Sequence, residues 1–518
     1  MLDALSPLEV LRLYPAHDYT LAGFLRARVD LDPQAEAMVE GERHWSRGET
    51  FSAAERLATT LQSEGVLAGD RVVILAKNAH WHVLTLIACG LLGAVFVPVN
   101  AAFNKDELAY VLGHATPKLV LSDDPMPAAL AEQDGQRILP LSDRLLASEA
   151  RTFAPRLPSE PLLMIYTSGT TGFPKGALHS HRSLILAGEA FVGRMHLQSD
   201  ERMLLILPMF HINALFYSVA GAWAAGAVLV IEEKFSASKF WQVACAQRIT
   251  QVNMIEAVVS ILLARPAEEY RPDHTIRKIY GIRQAMVARV KERFGVEHPV
   301  GGYGMTEIPG VIATEYAAEA PAFSMGRLCA HPDPDMPWAR CRIVDDHGDD
   351  VAQGETGELW VSTPVRMIGY LNDLEQTEAS FSGEWFKTGD LVRQHAEGDF
   401  FFVARKKDII RVRGENVSGA EVDRVLLSHP DVELAAAVGV PSAMGDEDII
   451  VGLRLRDGAD VDELSLRQWC SERLLAVKVP KYFDLSAELP LTPTHKVQKL
   501  QYRASVLSGE IWKRLQNA

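Results

Sequence analysis

Helical stretches alternate with short runs of valine, isoleucine and leucine up to about residue 340, and this alternation restricts the possible folds most. Residues 71–75, 118–121 and 162–166 are typical of buried strands, because parallel strands covered on both faces lack polar alternation. A helix, a glycine and a buried strand follow one another twice, at residues 83–98 and 214–231. The pattern predicts an α/β fold with two similar subdomains built on largely parallel sheets.

The pattern changes beyond about residue 341 to shorter alternating strands separated by turn signals, which predicts a small β-rich unit. From residue 408 onward a strand pair, a helix, two strands and another helix follow, and about a hundred residues is a normal size for an independent α+β domain. We therefore expect a large N-terminal domain at residues 1–406 and a small, mobile α+β C-terminal domain at residues 407–518.

The formal net charge of the 518 residues is −15. This charge argues against a protein that coats DNA, since non-specific nucleic-acid binding needs a basic face. Five scattered cysteines without a C-x-x-C pair predict neither a disulfide framework nor a zinc ribbon. The N-terminus lacks the continuous apolar stretch of a signal peptide. We expect a cytoplasmic protein with no nucleic-acid partner, and a homodimer stays open.

One uncharged run, residues 214–231, is just long enough to count as a candidate membrane-spanning helix. It contains Gly221 and Gly226, is followed by Glu232 and Glu233, and has no flanking lysine or arginine. A buried helix that ends at Gly226 and continues as a buried strand is the better interpretation. We predict no membrane span.

Residues 166–176 form a glycine-rich segment directly after an apolar strand. Its glycines let backbone N–H groups approach a phosphate, its hydroxyls add donors and its lysine adds positive charge. It is not a Walker A loop, because Pro174 stands where the second glycine would be. A polar loop without a ligand is the alternative. The candidate phosphate ligands are Thr167, Ser168, Gly169, Thr170, Thr171, Gly172 and Lys175.

At this segment the sequence resembles the adenylate-forming superfamily of acyl-CoA synthetases, peptide-synthetase adenylation domains and firefly luciferases, and the resemblance extends from about Tyr19 to the C-terminus. It implies that the glycine-rich segment binds the β- and γ-phosphates of ATP. Residues 302–307 are similar to the second nucleotide motif of the family. The resemblance implies that Tyr303 lies on adenine, Thr306 meets the α-phosphate and Glu307 holds Mg²⁺, for which a carboxylate is a suitable hard ligand.

Residues 385–390 resemble the ribose-binding segment of the family. The resemblance implies that Asp390 accepts hydrogen bonds from both ribose hydroxyls and that Arg405 joins it there. The alternative for Asp390 is a solvated turn residue after a glycine.

Five basic residues lie between positions 405 and 413 of an otherwise acidic chain. A solvated charge run is the usual explanation. The resemblance instead implies a hinge at Lys407 and a thiol tunnel at Gly414 and Glu415, where positive charge would attract a polyanionic coenzyme.

Residues 490–499 resemble the lysine loop of the family's C-terminal domain, which implies that Lys496 contacts the acyl carboxylate and the phosphate during adenylation. A surface lysine is the alternative. His495 stands where the family usually has glycine, a departure that bears on the backbone of this loop, since only glycine enters positive φ without cost.

The segment at residues 208–213 resembles the one that gates the acyl pocket, with His211 as the gate or, alternatively, as a core histidine. Glu256 falls where relatives present small or apolar pocket residues, so it either reads the substrate or points elsewhere. His179 and His181 could suggest a metal pair, but no further ligands are found, and structural packing is favoured.

The resemblance as a whole implies an acid–thiol ligase that uses ATP and Mg²⁺ to convert a small carboxylic acid into its acyl-AMP and passes the acyl group to coenzyme A. Its catalytic residues would be Lys496, Thr306 and Glu307, and rotation about Lys407 would let one site serve both steps. Coenzyme A is favoured because no carrier-protein domain follows Ala518. An amide-forming ligase and a non-catalytic nucleotide-binding protein are the alternatives.

Overall fold

The structure is a computed structural model that describes residues 4–123, 126–131, 135–167, 174–412, 415–442, 446–485, 488–491 and 497–509. The helices are α1 (Pro7–Leu11), α2 (Leu21–Leu31), α3 (Arg47–Ser63), α4 (His80–Leu92), α5 (Lys105–Ala115), α6 (Ala128–Ala131), α7 (His181–Met195), α8 (Ala220–Ala225), α9 (Phe240–Ala246), α10 (Glu256–Ala264), α11 (Gln284–Phe294), α12 (Leu374–Ala379), α13 (Gly419–Leu427), α14 (Glu463–Ser471) and α15 (Lys499–Ser508). A π-helix (Asn213–Val219) precedes α8.

The strands are β1 (Glu36–Glu40), β2 (Arg43–Ser46), β3 (Arg71–Leu75), β4 (Val95–Val99), β5 (Leu119–Ser122), β6 (Ile138–Pro140), β7 (Pro161–Thr167), β8 (Lys175–Ser180), β9 (Arg202–Leu205), β10 (Val228–Ile231), β11 (Gln251–Asn253), β12 (Lys278–Tyr280), β13 (His298–Val300), β14 (Gly302–Tyr303), β15 (Ile312–Ala313), β16 (Ser324–Leu328), β17 (Arg340–Val344), β18 (Thr356–Ser362), β19 (Gly369–Tyr370), β20 (Phe381–Ser382), β21 (Trp385–Gln394), β22 (Phe400–Arg405), β23 (Ile409–Val412), β24 (Glu415–Ser418), β25 (Val432–Pro441), β26 (Glu447–Leu455) and β27 (Tyr482–Asp484).

The chain divides into two compact units. The first comprises Met1–Cys341 and Val361–Phe386, and the second comprises Arg342–Trp360 and Lys387–Ala518. The boundary that we predict between residues 406 and 407 falls inside the second unit and stays a prediction about which part of the chain moves.

Two seven-stranded sheets make up most of the first unit. Sheet I has the strand order β13-β12-β11-β9-β10-β1-β2, with parallel neighbours except at its β2 edge. Sheet II has the order β19-β8-β7-β4-β3-β5-β6, with β8 antiparallel to β7 and β19 antiparallel to β8. The two similar α/β subdomains predicted from the sequence are confirmed.

The two connections from helix through glycine to strand that the sequence predicts lie in different sheets. Gly93 ends α4 and leads into β4, and Gly226 ends α8 and leads into β10; both glycines have φ 73° and ψ 19°. This left-handed conformation is costly for residues with a Cβ atom. Residues 214–231 are therefore buried helix and strand, and among the described residues no helix is long and apolar enough to cross a membrane.

The second unit contains an antiparallel hairpin and an α+β region. Strands β22, β21, β18 and β17 follow one another in one sheet, β23 pairs with β24, and β25, β26 and β27 form a three-stranded sheet. The helices α13 and α15 pack against β25. This arrangement confirms the small β-rich unit and the α+β C-terminal region.

Candidate active site

The two strands that flank the glycine-rich segment hold its ends together. Thr167, the last residue of β7, lies opposite Lys175, the first residue of the antiparallel strand β8. The Nζ atom of Lys175 donates a hydrogen bond of 2.7 Å to Oε1 of Gln376. The candidate ligands at positions 168–172 lie outside the described residues, so the structure places only the two ends of this predicted phosphate site.

A tight turn follows β14 and carries the second nucleotide motif. Its backbone is closed by hydrogen bonds between Met305 and Ile308 in both directions, and Val311 N donates to Tyr303 O at 3.1 Å. Glu307 is buried, with 7% of its surface exposed. Tyr303 and Thr306 are partly exposed, as side chains that meet a nucleotide would be.

Tyr370, on the edge strand β19 of sheet II, joins the carboxylate of this turn to the lysine of the glycine-rich segment. Its hydroxyl donates to Oε1 of Glu307 at 2.7 Å, and its ring centroid lies 5.4 Å from Nζ of Lys175. Burial and the neighbouring Glu307 carboxylate raise the pKa of Tyr370, so the hydroxyl stays protonated and donates the hydrogen bond to Glu307. The two predicted nucleotide motifs therefore meet across one tyrosine ring.

Glu307 also decides whether the site suits Mg²⁺. Among the described residues, no three histidine, cysteine or acidic side chains are grouped so as to hold a metal by themselves. Mg²⁺ usually takes one or two carboxylates together with substrate phosphates and water. A single carboxylate beside the predicted phosphate site therefore fits a metal that arrives with the nucleotide.

His179 holds the same turn in place through a hydrogen bond. Its Nε2 atom lies 2.7 Å from the carbonyl oxygen of Thr306, and its Nδ1 atom lies 3.2 Å from Oγ of Ser183. Burial lowers the pKa of His179 to about 4, so the ring is neutral near pH 7 and donates through Nε2. His181 instead accepts a hydrogen bond from Leu21 N at Nδ1. The two histidines serve packing, as favoured from the sequence.

The predicted acyl-pocket residues lie beyond the carboxyl ends of strands in sheet I, where ligands bind in open α/β sheets. His211 follows β9 and precedes the π-helix, and its ring lies against Phe210 with centroids 4.4 Å apart. Glu256 begins α10 after β11, and its Oε2 atom forms an ion pair of 2.8 Å with Nε of Arg283. The structure thus gives Glu256 a basic partner that the sequence pattern did not reveal.

The second unit contains the predicted ribose pair. Asp390 on β21 lies opposite Arg405 on β22, and the two side chains form an ion pair at 2.7 Å. The side chain of Asp390 is only 1% exposed, which excludes the solvated-turn alternative. Thr388 Oγ1 accepts from Asp390 N at 3.0 Å and donates to Leu359 O at 2.7 Å, which fixes the bend at Gly389.

The hinge and thiol residues lie next to this hairpin along the chain. Lys407 stands in a short 3₁₀ turn, Lys406–Asp408, and its side chain lies outside what the structure describes. Glu415 begins β24 and lies opposite Val412. Gly414 and Lys496 also fall outside the described residues, so their predicted roles stay predictions.

The motifs did not predict the contacts that Tyr370, His179 and Gln376 make with the candidate site residues. Gly369 and Tyr370 belong to no motif that we recognised, and the hydrogen bond from Tyr370 to Glu307 spans 63 residues. Only the fold brings these side chains together. The position of His179 near the glycine-rich segment was a weak indication that it contacts the site.

Comparison with protein families gives two matches along the chain. The family described as AMP-binding enzyme matches residues 25–371, and the AMP-binding enzyme C-terminal domain matches residues 421–496. The first match spans the glycine-rich segment, the turn with Glu307 and the strand with Tyr370.

Curated relatives match over nearly the whole chain. An indoleacetate–CoA ligase of Aromatoleum aromaticum is 31% identical over 94% of this chain and 98% of its own length. A sulfoacetate–CoA ligase of Cupriavidus necator is 31% identical over 87% of this chain and 91% of its own length. Among solved structures, the O-succinylbenzoate coenzyme A synthetase of Bacillus subtilis with AMP has a TM-score of 0.82 at 26% identity, covering 92% of this chain and 97% of that one.

Proposed function

Because the chain belongs to the AMP-binding enzyme family, we propose specific roles for its site residues in the two steps of an acid–CoA ligase. The activity predicted from the sequence is confirmed: the enzyme is an AMP-forming acid–thiol ligase that makes an acyl-AMP and transfers the acyl group to coenzyme A, with ATP and Mg²⁺. The observation that carries the residue roles is the grouping of Lys175, Tyr370 and Glu307.

In the first step an oxygen of the substrate carboxylate attacks the α-phosphorus of ATP. The new oxygen–phosphorus bond forms as the bond to the oxygen that bridges to the β-phosphate breaks, and pyrophosphate leaves. Lys175 and the segment after Thr167 neutralise the departing phosphates, and Thr306 donates to the α-phosphate. Bound at Glu307, Mg²⁺ would supply Lewis-acid neutralisation of phosphate charge.

Tyr303 positions adenine, and Asp390 with Arg405 holds the ribose, so that the α-phosphorus is fixed beside the acid. Lys496 stabilises the charge that develops where carboxylate and α-phosphate meet. His211 gates the acyl pocket, and Glu256 with Arg283 lies at its outer side.

In the second step the thiol of coenzyme A loses its proton to solvent, and a sulfur–carbon bond forms as the carbon–oxygen bond to AMP breaks. Residues 407–518 rotate about Lys407 between the steps, which removes Lys496 and brings Gly414 and Glu415 to the thiol.

A small carboxylic acid is the substrate. A cytoplasmic location and a homodimer belong to the same proposal, and light scattering of the purified chain would test the dimer.

The proposed function predicts acid-dependent pyrophosphate release in a screen of short, medium, branched, dicarboxylic and aryl acids with ATP and Mg²⁺. With coenzyme A present, each acid that is activated should yield a thioester, measured by mass spectrometry. An acid that releases pyrophosphate but yields no thioester, and instead yields an amide when amines are supplied, would favour the amide-forming alternative. Pyrophosphate release without any acid dependence would contradict acid activation itself.

Tyr370→Phe should lower adenylation about tenfold, because a hydrogen bond to a buried carboxylate is worth more than a neutral one. The hydroxyl orients Glu307, so the Mg²⁺ concentration for half-maximal rate should rise while the KM for the acid stays near that of the parent. Tyr270→Phe is the matched control, since that hydroxyl donates to Phe294 O at 3.2 Å in the same unit. An unchanged Mg²⁺ requirement in Tyr370→Phe would remove the positioning role.

A further inference from the structure

Gln376 gives the lysine of the glycine-rich segment a neutral partner. Its Oε1 atom accepts a hydrogen bond of 2.7 Å from Nζ of Lys175, and among the described residues no carboxylate forms an ion pair with that ammonium group. Lys278 shows the contrasting arrangement, since its Nζ atom lies 2.5 Å from a carboxylate oxygen of Glu201. An amide oxygen orients an ammonium group and leaves its charge in place, whereas a carboxylate neutralises that charge.

The amide of Gln376 is itself held in one orientation. Its Nε2 atom donates to Oγ of Ser380 at 3.3 Å, and that Oγ donates to the backbone carbonyl oxygen of Gln376 at 2.8 Å. The backbone N of Gln376 donates to Oδ1 of Asp373 at 3.0 Å, which fixes the start of α12. Because Nε2 faces Ser380, Oε1 is the amide atom that faces Lys175.

The helix α12 also holds the tyrosine beside this lysine. Oγ1 of Thr377 accepts a hydrogen bond of 2.9 Å from Tyr370 N and donates one of 2.7 Å to Asp373 O. The ring centroid of Tyr370 lies 5.4 Å from Nζ of Lys175. Neighbouring residues of one short helix therefore fix the acceptor of the ammonium group and the aromatic ring next to it.

The backbone at Lys175 is restrained as well. Lys175 pairs with Thr167 across the antiparallel strands β7 and β8, and the hydroxyl of Tyr110 on α5 donates to Pro174 O at 3.1 Å. A long side chain loses rotamer freedom when it binds a ligand. A lysine that is already held at both its backbone and its ammonium group binds an anion at a lower entropic cost.

A cavity adjoins this lysine. It has a volume of about 160 Å³, and Lys175 and Tyr370 line it together with Tyr110 and His114 from α5. An ammonium group can donate three hydrogen bonds. Gln376 accepts one of them, and within the part of the chain that the structure describes the ammonium group has no second acceptor. An anion that enters the cavity can therefore bind the charged end of Lys175.

We propose that Gln376 is a positioning residue of the ligase: it holds the ammonium group of Lys175, with its charge intact, where the group binds the β- and γ-phosphates of ATP and the pyrophosphate that leaves. This inference rests on the role of Lys175 in the proposed function. Gln376 then influences only the steps in which these phosphates take part. Thioester formation from acyl-AMP is not one of them, because acyl-AMP has neither phosphate.

The first test is Gln376→Met in the full chain, which keeps the length of the side chain and removes the acceptor. The KM for ATP in acid-dependent pyrophosphate release should rise about tenfold, because a hydrogen bond to a charged group is lost. The KM for pyrophosphate should rise by a similar factor in the reverse reaction, in which a pyrophosphate oxygen attacks the α-phosphorus of supplied acyl-AMP and the acid leaves. Thioester formation from acyl-AMP and coenzyme A should stay within about twofold of the parent rate.

Gln376→Glu is the second variant, and it keeps the shape of the side chain if Gln376→Met fails to fold. The new carboxylate should pair with Lys175 and compete with the phosphates, so both KM values should rise by about 100-fold, more than in Gln376→Met. Leu374→Glu is the matched control, because it adds the same charge to α12 at a residue that is 71% exposed. Residues two apart on a helix do not face each other, so its KM values should stay near those of the parent.

A double variant shows whether Gln376 acts through Lys175. Lys175→Met alone should raise the KM for pyrophosphate, and adding Gln376→Met to it should change that KM by less than about twofold, since residues in direct contact are not additive. Fully additive effects would mean that Gln376 acts independently of the lysine and would overturn the proposal.

Two other results would also overturn it. One is an unchanged KM for pyrophosphate in Gln376→Met, or in Gln376→Glu if the first variant does not fold. The other is a loss of thioester formation from acyl-AMP as large as the loss of pyrophosphate release, which would show a structural role. Unchanged KM values for ATP and pyrophosphate in Lys175→Met would instead contradict the proposed role of Lys175, and the inference about Gln376 would fall with it while the ligase activity stands.

Discussion

Lys496→Ala should lower acyl-adenylate formation by about 10²–10³-fold, which corresponds to the loss of about 3–4 kcal/mol of transition-state stabilisation. The reason is that, in the proposed mechanism, the ammonium group acts only where the carboxylate meets the α-phosphate. Thioester formation from supplied acyl-AMP should largely survive, because that step begins after the group has left. The measurement is each half-reaction assayed separately, as pyrophosphate release and as thioester formed from acyl-AMP.

Lys407→Pro should give the opposite pattern. Proline fixes φ near −65°, so the proposed hinge would lose the rotation that brings Gly414 and Glu415 to the thiol. Pyrophosphate release should persist while thioester formation falls, since gating residues remote from the chemistry can limit turnover.

Lys481→Ala is the matched control for both variants. Lys481 lies in the same unit, is half exposed and pairs with Asp448 at 2.7 Å, and exposed ion pairs contribute little. It should leave both half-reactions near those of the parent. Equal losses in both steps for Lys496→Ala and Lys407→Pro would rule out alternation between two positions of the C-terminal domain.

Asp390→Asn should weaken ATP binding by about 10²-fold, because the ribose hydroxyls would lose a charged acceptor, and hydrogen bonds to charged groups are worth about 1.5–3 kcal/mol each. The substitution keeps the shape of the side chain and removes its charge opposite Arg405. The measurement is the KM for ATP in the adenylation assay, repeated with 2′-deoxy-ATP and 3′-deoxy-ATP.

The parent enzyme should discriminate against both deoxynucleotides, and Asp390→Asn should discriminate much less. Asp399→Asn is the control, because Asp399 is also a buried aspartate and lies just before β22 in the same hairpin. If Asp390→Asn kept the full preference for ATP over both deoxynucleotides, the ribose would have to bind elsewhere.

The sequence predicted the sheets well because their signals are local. The runs at residues 71–75 and 162–166 are apolar throughout, and they form β3 and the centre of β7. Gly93 and Gly226 mark helix ends because the left-handed conformation strongly favours glycine. The order of the strands within each sheet was not predicted, since it depends on contacts between distant segments.

The candidate site divides in the same way between local motifs and distant contacts. Motifs singled out Glu307 and Asp390 as candidates, because their chemistry is readable from short segments. They did not identify Tyr370 as the partner of Glu307 or Arg283 as the partner of Glu256, because these pairs depend on the fold.

The π-helix Asn213–Val219 has a consequence for how the proposed acyl pocket could change during evolution. Its hydrogen bonds span five residues instead of four, so it accommodates an extra residue that an α-helix would not. Deleting one residue there would let the segment close as an α-helix, and because the π turn already absorbs that residue, the segments on either side would keep nearly the same orientation. A single-codon deletion would thus shift the side chains inside the turn as a group while α8 and sheet I stay unchanged, whereas point substitutions replace side chains one at a time.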